Sequence, residues 1–227
     1  MPKQVTNVAA DDALTTIYRL SNDEGEEVIA ARVAERLDIR PASVAGMLSR
    51  LSRDHLVDID KKKRVTLTKK GFERAKLVVR RHRLAECMLV DVMGLDWVDA
   101  YQEAHLMEHA ISDVTEPLIV KLLGNPTLSP FGYPIPGSFT NESLSMLRLS
   151  ELDEGQYGKI DRVFEEDEEL LRFYDEVNLK PGSTVNVVNV ARVRGEVDSI
   201  TIIVNKGTEP TLLGPKRASN IWMVRLP

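Results

Sequence analysis

Between Val28 and Thr68 the chain carries an order of elements that few folds accept. Val28–Leu37 reads as a short amphipathic helix. Arg40-Pro41-Ala42-Ser43 restarts the chain, with proline suited to a first helical turn, and Ser43–Leu51 is a second short helix. Leu56–Asp60 and Val65–Thr68 then alternate like strands around Lys61-Lys62-Lys63-Arg64, so a hairpin with a basic tip follows at once. Another helix precedes the pair. From Val8 to Leu20 the apolar residues Leu14, Ile17, Tyr18 and Leu20 fall at helical spacing, Asp11 and Asp12 stand near the start, and Asn22-Asp23-Glu24-Gly25 turns the chain. Helix, tight turn, helix, basic hairpin is the order of a winged helix-turn-helix, whose second helix enters a DNA groove.

Charge is distributed as that motif requires. The whole chain has a formal net charge of -5, which taken alone argues against nucleic acid. Residues 1–83, however, carry 18 Lys and Arg against 12 Asp and Glu, while the remainder carries 12 against 23. Residues 40–83 alone hold 14 basic and 4 acidic side chains. The asymmetry implies a nucleic-acid-binding N-terminal part joined to an acidic remainder. Small residues at the start of the second helix (Ala42, Ser43, Ala45, Gly46), after Pro41, allow close approach to a groove, and Pro41, Ala42, Ser43 and Gly46 are expected at the DNA surface. Arg40 and Arg50 are placed for phosphates or guanine edges, and Lys61, Lys62, Lys63 and Arg64 for the adjacent backbone. The expected partner is double-stranded operator DNA.

Beyond the hairpin the pattern turns helical. Lys69–Met93 reads as one long helix stopped by Gly94, Asp96 caps a helix running to about Ile111, and Ser112 caps a third that ends at Gly124-Asn125-Pro126. Three of the four histidines lie here. His82 and Glu86 are one turn apart, and His105-Leu106-Met107-Glu108-His109 sets His, Glu and His at i, i+3 and i+4, on one helix face. Imidazoles and a carboxylate so grouped can hold a divalent transition metal; the bland alternative is a solvated polar face. Leu84, Met88, Leu89, Val92, Leu106, Met107 and Ile111 exceed what one small core needs. A homodimer is the natural sink for them, and it suits a motif that binds palindromic sites as symmetric pairs.

The remainder has a different texture. Pro126, Pro130, Pro134 and Pro136 with Gly132 and Gly137 make an irregular segment, and the stretch after it is polar and linker-like. The tail reads as a strand, an acidic helix over Asp167–Val177, the turn Lys180-Pro181-Gly182-Ser183, and strands Thr184–Val190, Ser199–Val204 and Ile221–Leu226, together a small β-barrel. The expected division is a winged helix-turn-helix over 1–74, a helical domain over 75–140, a linker over 141–154 and a barrel over 155–227. A single cysteine, Cys87, leaves no intramolecular disulfide and no thiolate zinc cluster. With no apolar run of membrane-spanning length and no apolar leader, the expectation is a soluble cytoplasmic protein with no membrane partner.

Several stretches together resemble the diphtheria toxin repressor / manganese transport regulator family of metal-dependent bacterial repressors, in its three-domain form. They are Thr16-Ile17-Tyr18-Arg19-Leu20, Val33-Ala34-Glu35-Arg36-Leu37, Arg81-His82-Arg83-Leu84-Ala85-Glu86, Glu108-His109 and Ser129-Pro130-Phe131-Gly132-Tyr133-Pro134-Ile135-Pro136-Gly137. The likeness covers residues 8–137 well and is weaker over the tail, which resembles the family's SH3-like domain.

The resemblance implies a mainly α protein with α+β parts, acting as a repressor in metal-ion homeostasis. It places a primary metal site on Asp12, His105, Glu108 and His109, and a second on His82 and Glu86, with a carboxylate from the tail near Asp167. Tyr101 and Leu170 depart from the family's second-site ligands. Arg83 and Ser129 match residues that hold an anion in the iron-type members. Those members have sulfur ligands where Asp12 and His105 stand, so the all-N/O set favours Mn(II) over Fe(II), while Zn(II), Ni(II), Co(II) and Cd(II) are expected to bind in vitro. A reading from another class remains: His-x-x-Glu-His is also an inverted zinc-peptidase motif, with Glu108 as general base. No small-molecule substrate is otherwise implied.

Overall fold

The computed structural model describes residues 8–138 and 144–226, so the boundary expected at residue 140 and the first linker residues, 141–143, lie outside the described residues. The chain divides into two compact units. The first comprises residues up to Ala85 together with Ala104–Asn125 and Ile135–Ser138; the second comprises Glu86–Glu103, Pro126–Pro134 and the C-terminal part.

In the first unit α1 (Val8–Tyr18) lies at the centre, with Leu14 and Ile17 fully buried, and ends in a wide π-turn over Arg19–Asp23. Then come α2 (Ala30–Arg36) and α3 (Pro41–Arg53), the latter with proline in its first turn and Arg50 and Arg53 in its last, where cations meet the helix dipole favourably. Val44, Leu48 and Leu51 turn inward from α3 to meet Val33 of α2 and the α1 face. β1 (Val57–Ile59) and β2 (Val65–Leu67) pair antiparallel, and Ile29 bridges to Arg64, so the strand pair is anchored to the chain entering α2. The winged helix-turn-helix expected from the sequence is therefore present, with each helix slightly shifted in its bounds.

The hairpin hands over to α4 (Lys69–Cys87) through Thr68, whose hydroxyl accepts from the Gly71 amide at 3.1 Å and donates to the His55 carbonyl at 2.7 Å. Gly71 is required here: a Cβ on it would stand 1.9 Å from the Leu56 carbonyl oxygen. Arg74 on α4 reaches back to Asp11 on α1 at 2.6 Å. The long helix expected to run to Met93 keeps α-helical geometry only to Cys87 and continues as a second π-turn, Met88–Val92, before Gly94 at φ 72°. α5 spans Trp97–Glu108, with the Asp96 carboxylate accepting from the Val98 amide, and α6 spans Glu116–Leu122, preceded by Ser112, whose hydroxyl accepts from Val114 and Thr115. Arg80 and Arg81 hold α6 through Glu116, at 2.6 and 3.1 Å.

The second unit is a five-stranded antiparallel sheet in the order β6-β5-β4-β3-β7, built from β3 (Tyr157–Val163), β4 (Thr184–Val193), β5 (Glu196–Val204), β6 (Pro210–Leu213) and β7 (Ile221–Arg225). Two helices accompany it, α7 (Glu168–Glu176) and α8 (Pro215–Ser219). β6 and α8, each of which begins at a proline, were absent from the sequence expectation. The stretch expected as linker also differs: Leu149 and Leu152 are fully buried in this unit's core, and Met223 donates to the Leu147 carbonyl. The Phe131 ring stacks on Trp97 at 5.3 Å, and Gly132, at φ 91°, lets the backbone pass where a Cβ would lie 2.2 Å from the Asp161 carbonyl oxygen.

Gly71→Ala should lower stability by about 2 kcal/mol through overpacking at the Leu56 carbonyl. An unchanged urea midpoint for that variant would contradict the close approach.

Candidate metal centre

Glu108 is the centre of the first unit's chemistry. It ends α5, its side chain is 4% exposed, and three histidines converge on it. His82, on α4 and fully buried, lies with Nδ1 2.7 Å from Glu108 Oε2. His105, one turn back on α5, places Nδ1 3.2 Å from Oε1, and His109, just past the helix end, places Nε2 3.3 Å from the same oxygen. Asp12 on α1 faces them, with Oδ1 3.8 Å from His109 Nε2. The helical spacing explains why His105, Glu108 and His109 share a face; only tertiary packing brings Asp12 and His82 to it.

The charges are arranged around that carboxylate. Burial alone raises the Glu108 pKa, but hydrogen bonds from His105 and His82 and the positive charge of Arg19 outweigh it and hold the group at about 2. An ionised carboxylate only accepts, so His82 presents a protonated Nδ1 to it. His105 is raised above the ordinary histidine value, chiefly by its hydrogen bond to Glu108. Asp12 is raised by burial, with Glu108 adding to the shift and His105 and His109 opposing it.

The donor set fits a divalent metal. Asp12, Glu108 and His109 each offer one ligand atom within 4.8 Å of the others, and so do His82, His105 and Glu108. Within the first set, Asp12 Oδ1 and His109 Nε2 are buried atoms with no hydrogen-bond partner, a costly state that a cation between them relieves. Nitrogen and carboxylate oxygen without sulfur suit a hard or borderline cation. Glu108 belongs to both sets, so His82, expected at a separate second centre, touches the first.

The other expected residues lie as follows. Glu86, one turn after His82 on α4, is fully buried. In the second unit it brings a carboxylate oxygen within 4.8 Å of one from Glu165, also buried. Asp167, the carboxylate expected near that position, is occupied differently: it caps α7 by accepting from the Leu170 amide at 3.0 Å and pairs with Lys216 at 2.7 Å. Burial raises its pKa, but Lys216 and the backbone donors more than compensate and lower it. The sequence reading did not single out Glu165, two residues earlier, which is buried, whereas Asp167 caps α7 and pairs with Lys216. Arg83, read as an anion-binding residue, donates to the buried Asp23 carboxylate and so has an internal counter-ion. Ser129 lies in the second unit, where its hydroxyl accepts from the Phe131 amide at 3.3 Å.

On the elements expected to meet DNA, Arg40 just before α3 and Pro41, Ala42, Ser43, Gly46 and Arg50 within it are all exposed. Lys61, Lys62 and Lys63 are exposed at the hairpin tip, with Lys63 at φ 66°. Asp60 organises that tip by accepting from the Lys62 and Arg64 amides, and it also takes the Arg64 guanidinium at 2.6 Å. Arg64 is therefore a structural part of the tip, and the three lysines are its outward charges. Of the apolar excess on the helices, Leu84, Leu89 and Ile111 are buried within the chain, while Leu106, Val114, Leu118 and Leu122 of the first unit are more than 60% exposed.

Asp167→Ala should cost about 1 kcal/mol of stability through the lost α7 cap and leave metal stoichiometry unchanged. Loss of a bound equivalent in calorimetric titration would restore Asp167 as a ligand.

Comparison with known proteins gives the arrangement its family. Residues 6–65 match the iron dependent repressor, N-terminal DNA binding domain; residues 68–137 match the iron dependent repressor, metal binding and dimerisation domain; residues 147–225 match the FeoA domain. The iron-dependent repressor IdeR of Mycobacterium tuberculosis is 40% identical over 200 residues, covering 87% of this chain and 78% of the relative. The diphtheria toxin repressor of Corynebacterium efficiens is 33% identical over 187 residues, covering 78% and 81%. Among solved structures, a manganese-dependent transcriptional repressor in complex with manganese superposes with a TM-score of 0.82 at 30% identity, covering 96% of this chain and all of that one. The manganese regulator SloR superposes with a TM-score of 0.79 at 27% identity, covering 96% and 98%. These relatives are repressors, which leaves the inverted-peptidase reading of His-x-x-Glu-His without support. The chain belongs to the iron-dependent repressor / diphtheria toxin repressor family of metal-dependent transcriptional repressors.

Proposed function

We propose that this chain is a repressor of metal-ion homeostasis genes whose corepressor is Mn(II), held by Asp12, His105, Glu108 and His109, and that it acts as a homodimer on palindromic operator DNA in the cytoplasm. The observation that carries the reading is the pair of buried atoms Asp12 Oδ1 and His109 Nε2, neither of them hydrogen-bonded, beside the ionised Glu108 and on segments distant in sequence. The sulfur-free donor set favours Mn(II) over Fe(II) as the working metal, while Zn(II), Ni(II), Co(II) and Cd(II) compete in vitro, as the affinity order of divalent ions requires. No helix among the described residues is long and apolar enough to cross a membrane.

In mechanism, Asp12 belongs to the helix on which α2 and α3 pack, and His105, Glu108 and His109 belong to or adjoin α5. Held by Asp12, His105, Glu108 and His109, a divalent metal would supply the positive charge that neutralises the two facing carboxylates, and Asp12 and Glu108 would thereby join α1 to the end of α5. The exposed Leu106, Val114, Leu118 and Leu122 supply an apolar face for the second protomer. With α1 fixed, α3 of each protomer is held at a spacing near one turn of DNA, about 34 Å. Arg40, Arg50 and Lys61–Lys63 then meet the phosphates and groove edges. Without that tie, Asp12 and Glu108 repel each other, and the competent spacing is thinly populated. His82 and Glu86 form the remaining proposed metal positions, with Arg83 and Ser129 as the proposed anion contacts. The proposed division remains 1–74, 75–140, 141–154 and 155–227, with the buried Leu149 and Leu152 packed onto the last.

Asp12→Ala should abolish Mn(II)-dependent operator binding while dimer mass and helix content stay unchanged. Unaltered operator affinity in that variant would sink the scheme. Protons compete for the same ligands, and His105 holds its proton more tightly than an ordinary histidine. The Mn(II) concentration for half-maximal DNA binding should therefore rise as pH falls from about 7.5 to about 6. A midpoint independent of pH would contradict ligation by the histidines.

A further inference from the structure

α1 packs along α4, with Ala75 and Val79 in the same buried cluster as Leu14 and Ile17. Two ion pairs pin the helices to each other. Asp11 meets Arg74 at 2.6 Å near the start, and at the π-turn the buried Asp23 accepts from the buried Arg83. In the second pair both residues lie further along their helices, so α1 and α4 run in the same direction. Arg19, one turn before Asp23, is thereby set beside the turn of α4 that leads into His82, whose Nδ1 lies 2.7 Å from Glu108. It also comes two turns after Asp12 and so projects from the same side of α1. Arg19 is only 7% exposed. The π-turn that it opens, a feature frequent at functional sites, is what turns both Arg19 and Asp23 inward.

The charges in this interior divide unevenly. Asp11 and Asp23 are each answered by an arginine of α4, so those four charges cancel in pairs. The charge of Arg19 bears on Glu108, which it helps to hold in the ionised form. A divalent ion entering the cluster therefore meets two carboxylates that attract it, Asp12 and Glu108, and one fixed cation that repels it. Arg19 can be a structural counter-ion only, present because a buried carboxylate needs one. Or it can stand as a competitor for the same negative field. Its burial and its chemistry favour the second reading. A guanidinium does not lose its proton in a protein, and one enclosed to this degree is poorly screened by solvent ions. Its repulsion therefore persists when a divalent ion arrives.

We infer that Arg19 is a resident cation that sets the metal threshold: it shares the field of Glu108, opposes entry of a divalent ion, and keeps the cluster weaker than its donors alone would make it. The inference rests on the metal-site reading above and names what regulates that site. A repressor that must leave its operator when metal is scarce needs a site that empties. A fixed buried cation supplies that weakness without the loss of a ligand. It also keeps the emptied cluster folded, because Glu108 retains a counter-charge.

The test uses the full-length protein, freed of metal by chelation, with Mn(II) alone as the probe and no DNA. Free Mn(II) is read from its electron paramagnetic resonance signal, and thermal midpoints are measured with and without the ion. Arg19→Met and Arg19→Gln remove the charge; Arg19→Lys keeps it. The half-saturating Mn(II) concentration should fall by about tenfold in the two uncharged variants, a change well within the repulsion between a buried cation and a divalent ion. It should stay near the wild-type value in Arg19→Lys. Without metal the uncharged variants should melt below the wild type, and saturating Mn(II) should narrow that gap. A purely structural arginine gives the opposite: uncharged variants bind Mn(II) no more tightly than the wild type, and the gap persists with the ion. That result overturns the inference, and so does equal tightening in Arg19→Lys. Should neither uncharged variant fold without metal, recovery of native helix content on adding Mn(II) supports the inference and failure to recover overturns it. A wild type that binds no Mn(II) would overturn the metal-site reading itself, a distinguishable result.

Discussion

The Glu108 carboxylate, buried and ionised, is the group around which the first unit is organised. A lone carboxylate at 4% exposure would be protonated or would unfold its surroundings; this one is kept charged by His82, His105 and Arg19. Those partners come from the end of α1, from α4 and from α5, so one charge ties together helices far apart in sequence. Losing one member of a buried ionic set costs roughly 3–5 kcal/mol, which makes the site as much a structural joint as a binding site. Beside it, Asp12 Oδ1 and His109 Nε2 are buried without a hydrogen-bond partner. Two buried polar atoms without a hydrogen bond are the feature on which the proposed metal site rests.

α1 is buried along most of its length, with Leu14, Ile17 and Leu20 fully enclosed, and α2 and α3 pack directly on it. Asp11 is anchored to Arg74 next to Asp12, and Asp23 to Arg83 at the π-turn. In the proposed mechanism this packing would carry a tie at Asp12 to α3, because a tightly packed helix shifts as a body. The hairpin is fixed with equal economy: Asp60 uses its carboxylate on two amides and on Arg64, leaving Lys61–Lys63 to face outward.

Much of this was legible in the sequence because it is local. The helix-turn-helix and its basic hairpin follow from apolar spacing, Pro41 and the charge run. The His105-Glu108-His109 face follows from the helical period alone. What the residues by themselves did not give depends on contacts between distant segments. Asp12 reached the site only through the family resemblance. His82 was paired with Glu86 at a second centre only through the same resemblance, and that it also lies against Glu108 shows only in the folded chain. Asp167 and Glu165 are both acids before α7, and only folding shows one capping the helix and the other buried. Leu149 and Leu152 were hidden among polar neighbours, and β6 and α8 behind the prolines that begin them. The two π-turns leave no mark in periodicity, since each adds a single residue to a helical turn.

The central claim is that occupancy of the Asp12–Glu108 cluster controls DNA binding. It is tested most directly by retaining genomic fragments on the purified wild-type protein in Mn(II), in Fe(II), and after chelation. The account predicts specific fragments retained with metal, more efficiently with Mn(II), and released by the chelator. Retention of the same fragments without metal would reduce the cluster to a structural joint and contradict the account.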